Sequence, residues 1–262
     1  MKNYQKKTVR LRRAPIIIQT TPKEPAAIYM PKWLIKFIII IGILIGIFYV
    51  LFISPYLQIK QVEIKGAISP EAKAYILSQK GKNIFFIKSD NLQLQVRNLD
   101  QEIRSINIYR GLPDMIRVEI KTRGPVLIWN SHNIGYLVDD FGVAFRQTEE
   151  GNTTWNDLPI VVDRHNMPIK LGQKVVSLRL INFIQAFQKD FKSKIGINLK
   201  DWEIGETSIH AEAVTETGWR ILTDTTRSPI YQLDDLAKIY AKHRAEIREY
   251  VDLRVSGYGY YK

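Results

Sequence analysis

The longest apolar pattern in the chain runs from Phe37 to Ile53, 17 residues of mostly Ile, Leu, Val and Phe without one charge. With Trp33–Lys36 added, a helix here would be about 31 Å long at 1.5 Å per residue. That matches a hydrocarbon core of roughly 30 Å. Trp33, Tyr49 and Tyr56 stand near the two rims, where interfacial aromatics belong. Lys36 lies one turn from the end, where its ammonium can snorkel to the headgroups. A signal peptide has a shorter apolar stretch followed by a small-residue cleavage site, whereas Ser54-Pro55-Tyr56 follows here. A core helix alternates with polar positions, and this run does not. The pattern predicts one uncleaved transmembrane helix over 33–54, with Gly42 and Gly46 at the spacing of a helix-packing motif.

Beyond the span the period changes. In 58–66 Val62 and Ile64 alternate with Glu63 and Lys65 and stop at Gly66, a half-buried strand. Ser69-Pro70-Glu71 reads as a helix N-cap, a proline at the first helical position and an acid in the first turn. That helix runs to about Gln79. Ile84, Phe85, Phe86 and Ile87 form an apolar knot. Ser89 or Asp90 caps a second helix through Leu92, Leu94, Val96 and Leu99. Ile103–Arg110 and the alternating Ile116, Val118 and Ile120 are strands, separated by the turn Gly111-Leu112-Pro113-Asp114. The order β-α-α-β-β predicts a small α+β module over 56–125, with two helices on one face of a three-stranded sheet.

A second α+β domain, with a mostly antiparallel sheet, is expected over 126–256. Its strands are Val126–Trp129, Tyr136–Val138, Val143–Phe145, Leu158–Val162, Trp202–Ile204, Ile209–Val214, Gly218–Thr223 and a last one from Val251 to Val255. Asp139-Asp140-Phe141-Gly142 is a hairpin signal. Leu180, Ile184, Phe187 and Phe191 recur at helical spacing in a helix of about 18 residues. A second helix starts at Ser228-Pro229. Residues 257–262 read as a tail.

Charge changes the picture less than its total suggests. The net charge is +12, but nine of the 38 Lys and Arg residues fall in 1–36, against the single acid Glu24. The excess therefore belongs to a proline-punctuated segment, 1–32, expected to be a flexible cytoplasmic tail. Beside a span, its basic residues speak for topology and anionic lipid rather than nucleic acid. The positive-inside rule places the N-terminus in the cytoplasm and the body outside. With no cysteine, disulfides and thiol chemistry are excluded.

The search for chemistry comes back empty. His132, His165, His210 and His243 have no metal-ligand spacing, so neither a metal nor a cofactor is expected, and no catalytic residue stands out. Asp139-Asp140 has the form of a carboxylate pair, with turn formation as its plainer role. Asn152-Thr153-Thr154 is a formal glycosylation sequon without weight in a bacterial chain. No nucleic-acid or small-molecule partner is indicated.

The signposts, taken in order, carry a resemblance. They are Val62-x-Ile64-x-Gly66, Gly81-x-Asn83-Ile84-Phe85, Arg110-x-x-Pro113-Asp114, Ile116-x-Val118, Arg123-x-Pro125-Val126, Asp139-x-x-Gly142, Leu158-Pro159, Gly218-Trp219-Arg220 and Asp252-Leu253-Arg254. The 56–125 module resembles a POTRA domain, and the chain resembles the bacterial FtsQ/DivIB family. Thr122 and Leu127 depart from that family's usual acid and small residue.

The resemblance implies a single-pass scaffold in the cell membrane at the division septum. It would bind other divisome membrane proteins, including small coiled-coil proteins of the FtsB/FtsL kind, through its extracytoplasmic domains and link early to late assembly. The alternative class is a membrane-anchored envelope enzyme acting on cell wall. For a scaffold, the expected partner-binding element is the last strand, Val251, Asp252, Leu253, Arg254, Val255 and Ser256, which alternates cleanly and has no later strand to cover it. Tyr258 and Tyr260 are the adjoining aromatic anchors.

Overall fold

A computed structural model describes residues 31–149, 154–205 and 207–262. The basic segment up to residue 30 and most of the sequon lie outside the described residues. The apolar run forms helix α1, Lys32–Phe48, which continues as a wider π-turn over Tyr49–Ile53. Together Lys32–Ile53 are 22 residues, apolar enough to cross a membrane.

The first module contains strand β1 (Gln61–Lys65), helices α2 (Pro70–Leu77) and α3 (Ser89–Leu99), and strands β2 (Ile103–Gly111) and β3 (Met115–Thr122). The sheet order is β1-β3-β2, with β1 parallel and β2 antiparallel to the central β3. α2 begins as its sequence requires, with Pro70 at the first position and the Ser69 hydroxyl accepting from the Ala72 N–H. Gly66, at φ +111°, lets the chain leave β1 against Ile120; a β-carbon there would stand 2.3 Å from the Ile120 carbonyl oxygen.

The module's core joins Ile59, Ala72, Ile76, Ile84, Leu92, Val96, Ile103, Ile106, Ile116 and Val118. Three local expectations change. α3 has Lys88, not Ser89 or Asp90, at its N-cap and no side-chain cap. Only Leu92 and Val96 of its apolar residues are buried: they sit one turn apart on the inner face, Leu94 falls on the outer face, and Leu99, in phase with them, stands exposed at the last position of the helix. The 84–87 knot divides: Ile84 and Ile87 turn inward, while Phe85 and Phe86 remain exposed.

The second set of elements forms a nine-stranded sheet. Its strands are β4 (Pro125–Ser131), β5 (Ile134–Asp139), β6 (Ala144–Gln147), β7 (Ile160–Asp163), β8 (Leu199–Ile204), β9 (His210–Thr215), β10 (Arg220–Asp224), β11 (Tyr250–Asp252) and β12 (Tyr260–Tyr261). The order is β12-β11-β10-β9-β8-β7-β4-β5-β6. β4, β7 and β8 run parallel to one another and β10 runs parallel to β11; the remaining neighbours are antiparallel.

Helices α4 (Leu178–Ile195) and α5 (Pro229–His243) supply the apolar side of this sheet's core. Phe187 of α4 is fully buried, edge-on to Trp202 of β8 at 5.4 Å and stacked between Phe183 and Phe191. The α4 period of four seen in sequence is therefore the face that meets the sheet.

Arg123 and Asp139, 16 residues apart, meet between the two cores. The Asp139 carboxylate is wholly buried, accepts from the N–H groups of Phe141 and Val143, and is paired with Arg123. Asp140 faces outward to Arg104, whose guanidinium also lies 4.5 Å from the Phe141 ring centroid. Arg146 grips Glu102 with both arms of its fork. The two aspartates are thus in separate environments with separate arginine partners.

Candidate partner-binding edge

The C-terminal strand differs from the expectation in length and in neighbour. Only Tyr250, Val251 and Asp252 are in β11; Leu253 makes one more bond to β10, from its N–H to the Leu222 carbonyl at 2.9 Å, Arg254 leaves the ladder, and Val255-Ser256-Gly257 make a turn. Gly257, at φ +78°, takes the left-handed conformation that reverses the chain. β12 then pairs back on β11, Val251 with Tyr261 and Asp252 with Tyr260. β10 runs on to Asp224, but its pairing with β11 stops at Leu222. The Gln232 carboxamide takes the Asp224 N–H and carbonyl, so the alternation of 251–256 has no free backbone groups there to pair with. Residues 257–262 are accordingly a return strand rather than a tail, and β11 is not the sheet edge.

The return strand is held through Tyr261 and Lys262. The Lys262 carbonyl accepts from the N–H groups of Arg248 and Glu249, and Lys262 N–H donates to the Tyr250 carbonyl at 3.0 Å. The Tyr261 hydroxyl donates to Glu246 at 2.8 Å and lies 3.0 Å from His243 Nδ1, and its ring stacks on the imidazole at 4.9 Å. This hydrogen bond, followed by that of His243, holds the Glu246 carboxyl below its ordinary range. Periodicity carries no signal for such a contact, because its three residues belong to a helix end, a loop and a strand.

Tyr258 and Tyr260 are the exposed aromatics of the edge, at 68% and 56%. Val255 is half exposed in the turn. Arg254 folds back on its neighbour: its Nε and Nη2 donate to the Asp252 carboxylate at 2.9 and 2.6 Å. Leu253 is buried, its carbonyl held by Arg227 at 2.6 Å. The structure therefore exposes Tyr258 and Tyr260 at the edge, keeps Asp252 one strand in beside Tyr260, turns Val251 and Leu253 into the core, and leaves Val255 and Ser256 outside any strand. An open groove of about 560 Å³ adjoins Ser256 and Gly257, lined by Arg227, Tyr231, Asp234 and Lys238 of the α5 end.

One cross-strand row continues from this edge over the sheet face opposite α4 and α5: Val162, Glu203, Glu212, Leu222, Asp252 and Tyr260 stand side by side. Glu203 and Glu212 are directly opposite, an arrangement that repels. Arg164 and Arg220 each bridge both carboxylates and remove that penalty. Burial pushes Glu203 upward, but hydrogen bonding and charge from the two arginines outweigh it and leave its pKa lowered.

The Asp252 carboxyl is likewise held below its ordinary value of 3.8, first by the Arg254 hydrogen bond, against the opposing effect of burial. A carboxyl whose folded value is depressed stabilises the fold above its unfolded pKa, and that contribution is lost as pH falls through the folded value. Hydrogen exchange of the β11–β12 amides should therefore differ between the natural chain and Arg254→Leu at neutral pH. The difference should begin to shrink as pH falls below about 4 and vanish only once pH has passed through the lowered value of Asp252. A gap that persists unchanged at low pH would show that the pair does not hold the edge.

No family model matches the chain. Over 132 residues, half of its length, it is 26% identical to the cell division protein FtsQ of Chloroflexus aurantiacus, covering 47% of that protein. Over 128 residues it is 28% identical to the cell division protein FtsQ of Chloroflexus aggregans, covering 46% of it. These matches support assignment to the FtsQ/DivIB family. The chain spans about half the length of the curated relatives it matches. The mixed α+β architecture behind one N-terminal apolar helix is consistent with an FtsQ-like fold, and that helix fits membrane anchoring.

Proposed function

We propose that this protein is a single-span scaffold of the bacterial division machinery, with its N-terminus in the cytoplasm and its body outside, acting at the septum. The similarity to proteins named for cell division supports the process. The apolar helix behind a basic segment supports the anchoring and the orientation. Residues 56–125 and 126–262 are its two extracytoplasmic binding domains, and it works by holding other membrane proteins rather than by catalysis.

The observation that carries the binding role is the two-residue strand β12 at the end of the nine-stranded sheet. In its antiparallel ladder Tyr250 exchanges with Lys262 and Asp252 faces Tyr260. The residue between, Tyr261, therefore directs its N–H and C=O away from β11. An incoming strand would find those groups there and the exposed rings of Tyr258 and Tyr260 beside them. A small coiled-coil division partner is the class that the family resemblance implies.

The position for a proline test moves accordingly. Val255 and Ser256 are in the turn, so proline there removes no ladder donor. Tyr261→Pro removes the outward N–H and should abolish recovery of the partner from cells. Tyr261→Phe keeps that N–H and should retain recovery. Photo-crosslinkers at Tyr258 and Tyr260 should yield the same partner. Full recovery with Tyr261→Pro, together with no adduct at either tyrosine, would place the interface elsewhere.

A further inference from the structure

We infer that the loop 82–88 is a second membrane contact, an interfacial anchor that seats the first module on the lipid surface. In it Phe85 and Phe86 enter the headgroup–acyl boundary and Lys82 and Lys88 take lipid phosphates. The inference rests on the membrane-anchored reading of the apolar segment.

The loop is built, not loose. Ile84 and Ile87 are buried in the module's core, and the Ile87 carbonyl accepts from Arg110 at 2.6 Å. The Asn83 carboxamide caps the short turn by accepting from the Phe85 N–H at 2.9 Å. The chain is also tied at Ile59, which donates to the Lys82 carbonyl and accepts from the Gly81 N–H. With both flanking isoleucines facing inward, Phe85 and Phe86 project outward, at 44% and 59% exposure. Two adjacent, rigidly held and exposed phenylalanines have no role in the core they sit upon.

Their neighbours identify what they meet. Asn83 donates its Nδ2–H to the carbonyl of Leu51 at 2.7 Å, and the Phe86 ring lies 5.5 Å from that of Phe52. Leu51 and Phe52 are the two residues before Ile53, where the uncharged run ends. Wherever that end emerges from the hydrocarbon, Phe86 is one ring-width away from it. Phenylalanine is among the residues that the apolar face of an interfacial element places at that depth. Apolar side chains of an interfacial element sink about 5–10 Å into the boundary.

The charge around the loop fits the same surface. Between residues 80 and 90 there are three lysines, Lys80, Lys82 and Lys88, against the single acid Asp90. Lys82 and Lys88 line a cavity of about 200 Å³ together with Gln79, Asn91, Tyr75 and Phe86. It presents cationic and amide donors beside the ring that meets the span, which is the chemistry a lipid phosphate requires.

The chain has no cysteine, so a single introduced thiol labels one place in the full-length protein. In nanodiscs, Phe85→Cys carrying an environment-sensitive dye should be quenched by lipids bearing a spin label at the headgroup or upper acyl chain. It should be shielded from aqueous iodide. Gly46→Cys, in the span, should be quenched by lipids labelled deep in the chain.

With phosphatidylglycerol present, the ratio of quenched to open label at 85 should exceed that in phosphatidylcholine alone. Replacing Lys82 and Lys88 by glutamine should lower it by about fivefold per lysine. Phe86→Ser, a surface change that leaves the core intact, should reduce the quenching at 85.

A label at 85 that stays open to iodide while position 46 is quenched overturns the inference and leaves the span standing. If position 46 is not quenched either, the membrane reading fails and the inference falls with it. Quenching at 85 that is indifferent to lipid charge and to both lysine variants overturns the assignment of Lys82 and Lys88 to phosphate.

Discussion

Replacing Val118 with aspartate is expected to unfold the first module. Val118 has no exposed surface and sits in the middle of the central strand, paired with Ile64 on one side and Ile108 on the other. Isolated carboxylates in such surroundings cost several kcal/mol even after relaxation. A module of this size, with one small core, has only a few kcal/mol in hand. The sequence pattern alone would choose Ile64 for this test, but Ile64 is only half-buried on the edge strand β1, where a carboxylate can reach water. Ile64→Asp should therefore be milder. Hydrogen exchange read on β2 and β3, with β9 and β10 as the internal reference, distinguishes the outcomes. If the amides of β2 and β3 stay protected in Val118→Asp, the module's core is not what holds it together. Protection lost equally in β9 and β10 would show that 56–125 and the nine-stranded sheet fold as one unit.

Arg123→Ala is expected to cost about 3–5 kcal/mol, because it leaves the Asp139 carboxylate buried without its counter-charge. That aspartate keeps two main-chain donors, so the lower part of this range applies if they suffice. The arginine also donates from Nε to the Gln101 carbonyl at 3.2 Å within the first module, so its pair with Asp139 is what links that module to the second. The double variant Arg123→Ala/Asp139→Asn removes the charge as well as its partner, and chemical denaturation should show it recovering part of the loss. Equal losses in the single and double variants would mean that the ion pair contributes packing rather than charge compensation.

Most of the local structure was legible in the sequence. The serines at the starts of α2 and α5 became N-caps with proline at the first helical position, and the period of four in α4 became the face on Trp202. These features depend on neighbours within a turn or two, where side-chain type sets backbone preference directly. The four isoleucine and phenylalanine positions of 84–87 were visible only as apolar. Which two point inward depends on a short turn whose direction Asn83 sets, and a run of like residues carries no phase.

The partner-binding element marks the boundary between what chain order and tertiary contact decide. Val251 to Ser256 has a strand's alternation throughout, and by itself that pattern has no way to state where a ladder ends. The end came from side chains of other segments: Gln232 occupies the backbone groups of Asp224 in β10, and Arg227 takes the Leu253 carbonyl. The return of β12 came from Gly257 in the turn and from Tyr261 resting on His243 and Glu246. The ion pair between Arg123 and Asp139 likewise joins residues whose spacing carries no information.

The sequence by itself determined the apolar span, the α+β class, the order of elements and most of their limits, because each is written in periodicity and punctuation over a few residues. Only the tertiary structure decided which strand is the edge, which arginine meets which carboxylate, and which phenylalanines face out. Those outcomes depend on contacts between segments tens of residues apart, and a strand's free side exists only once every other strand has been placed.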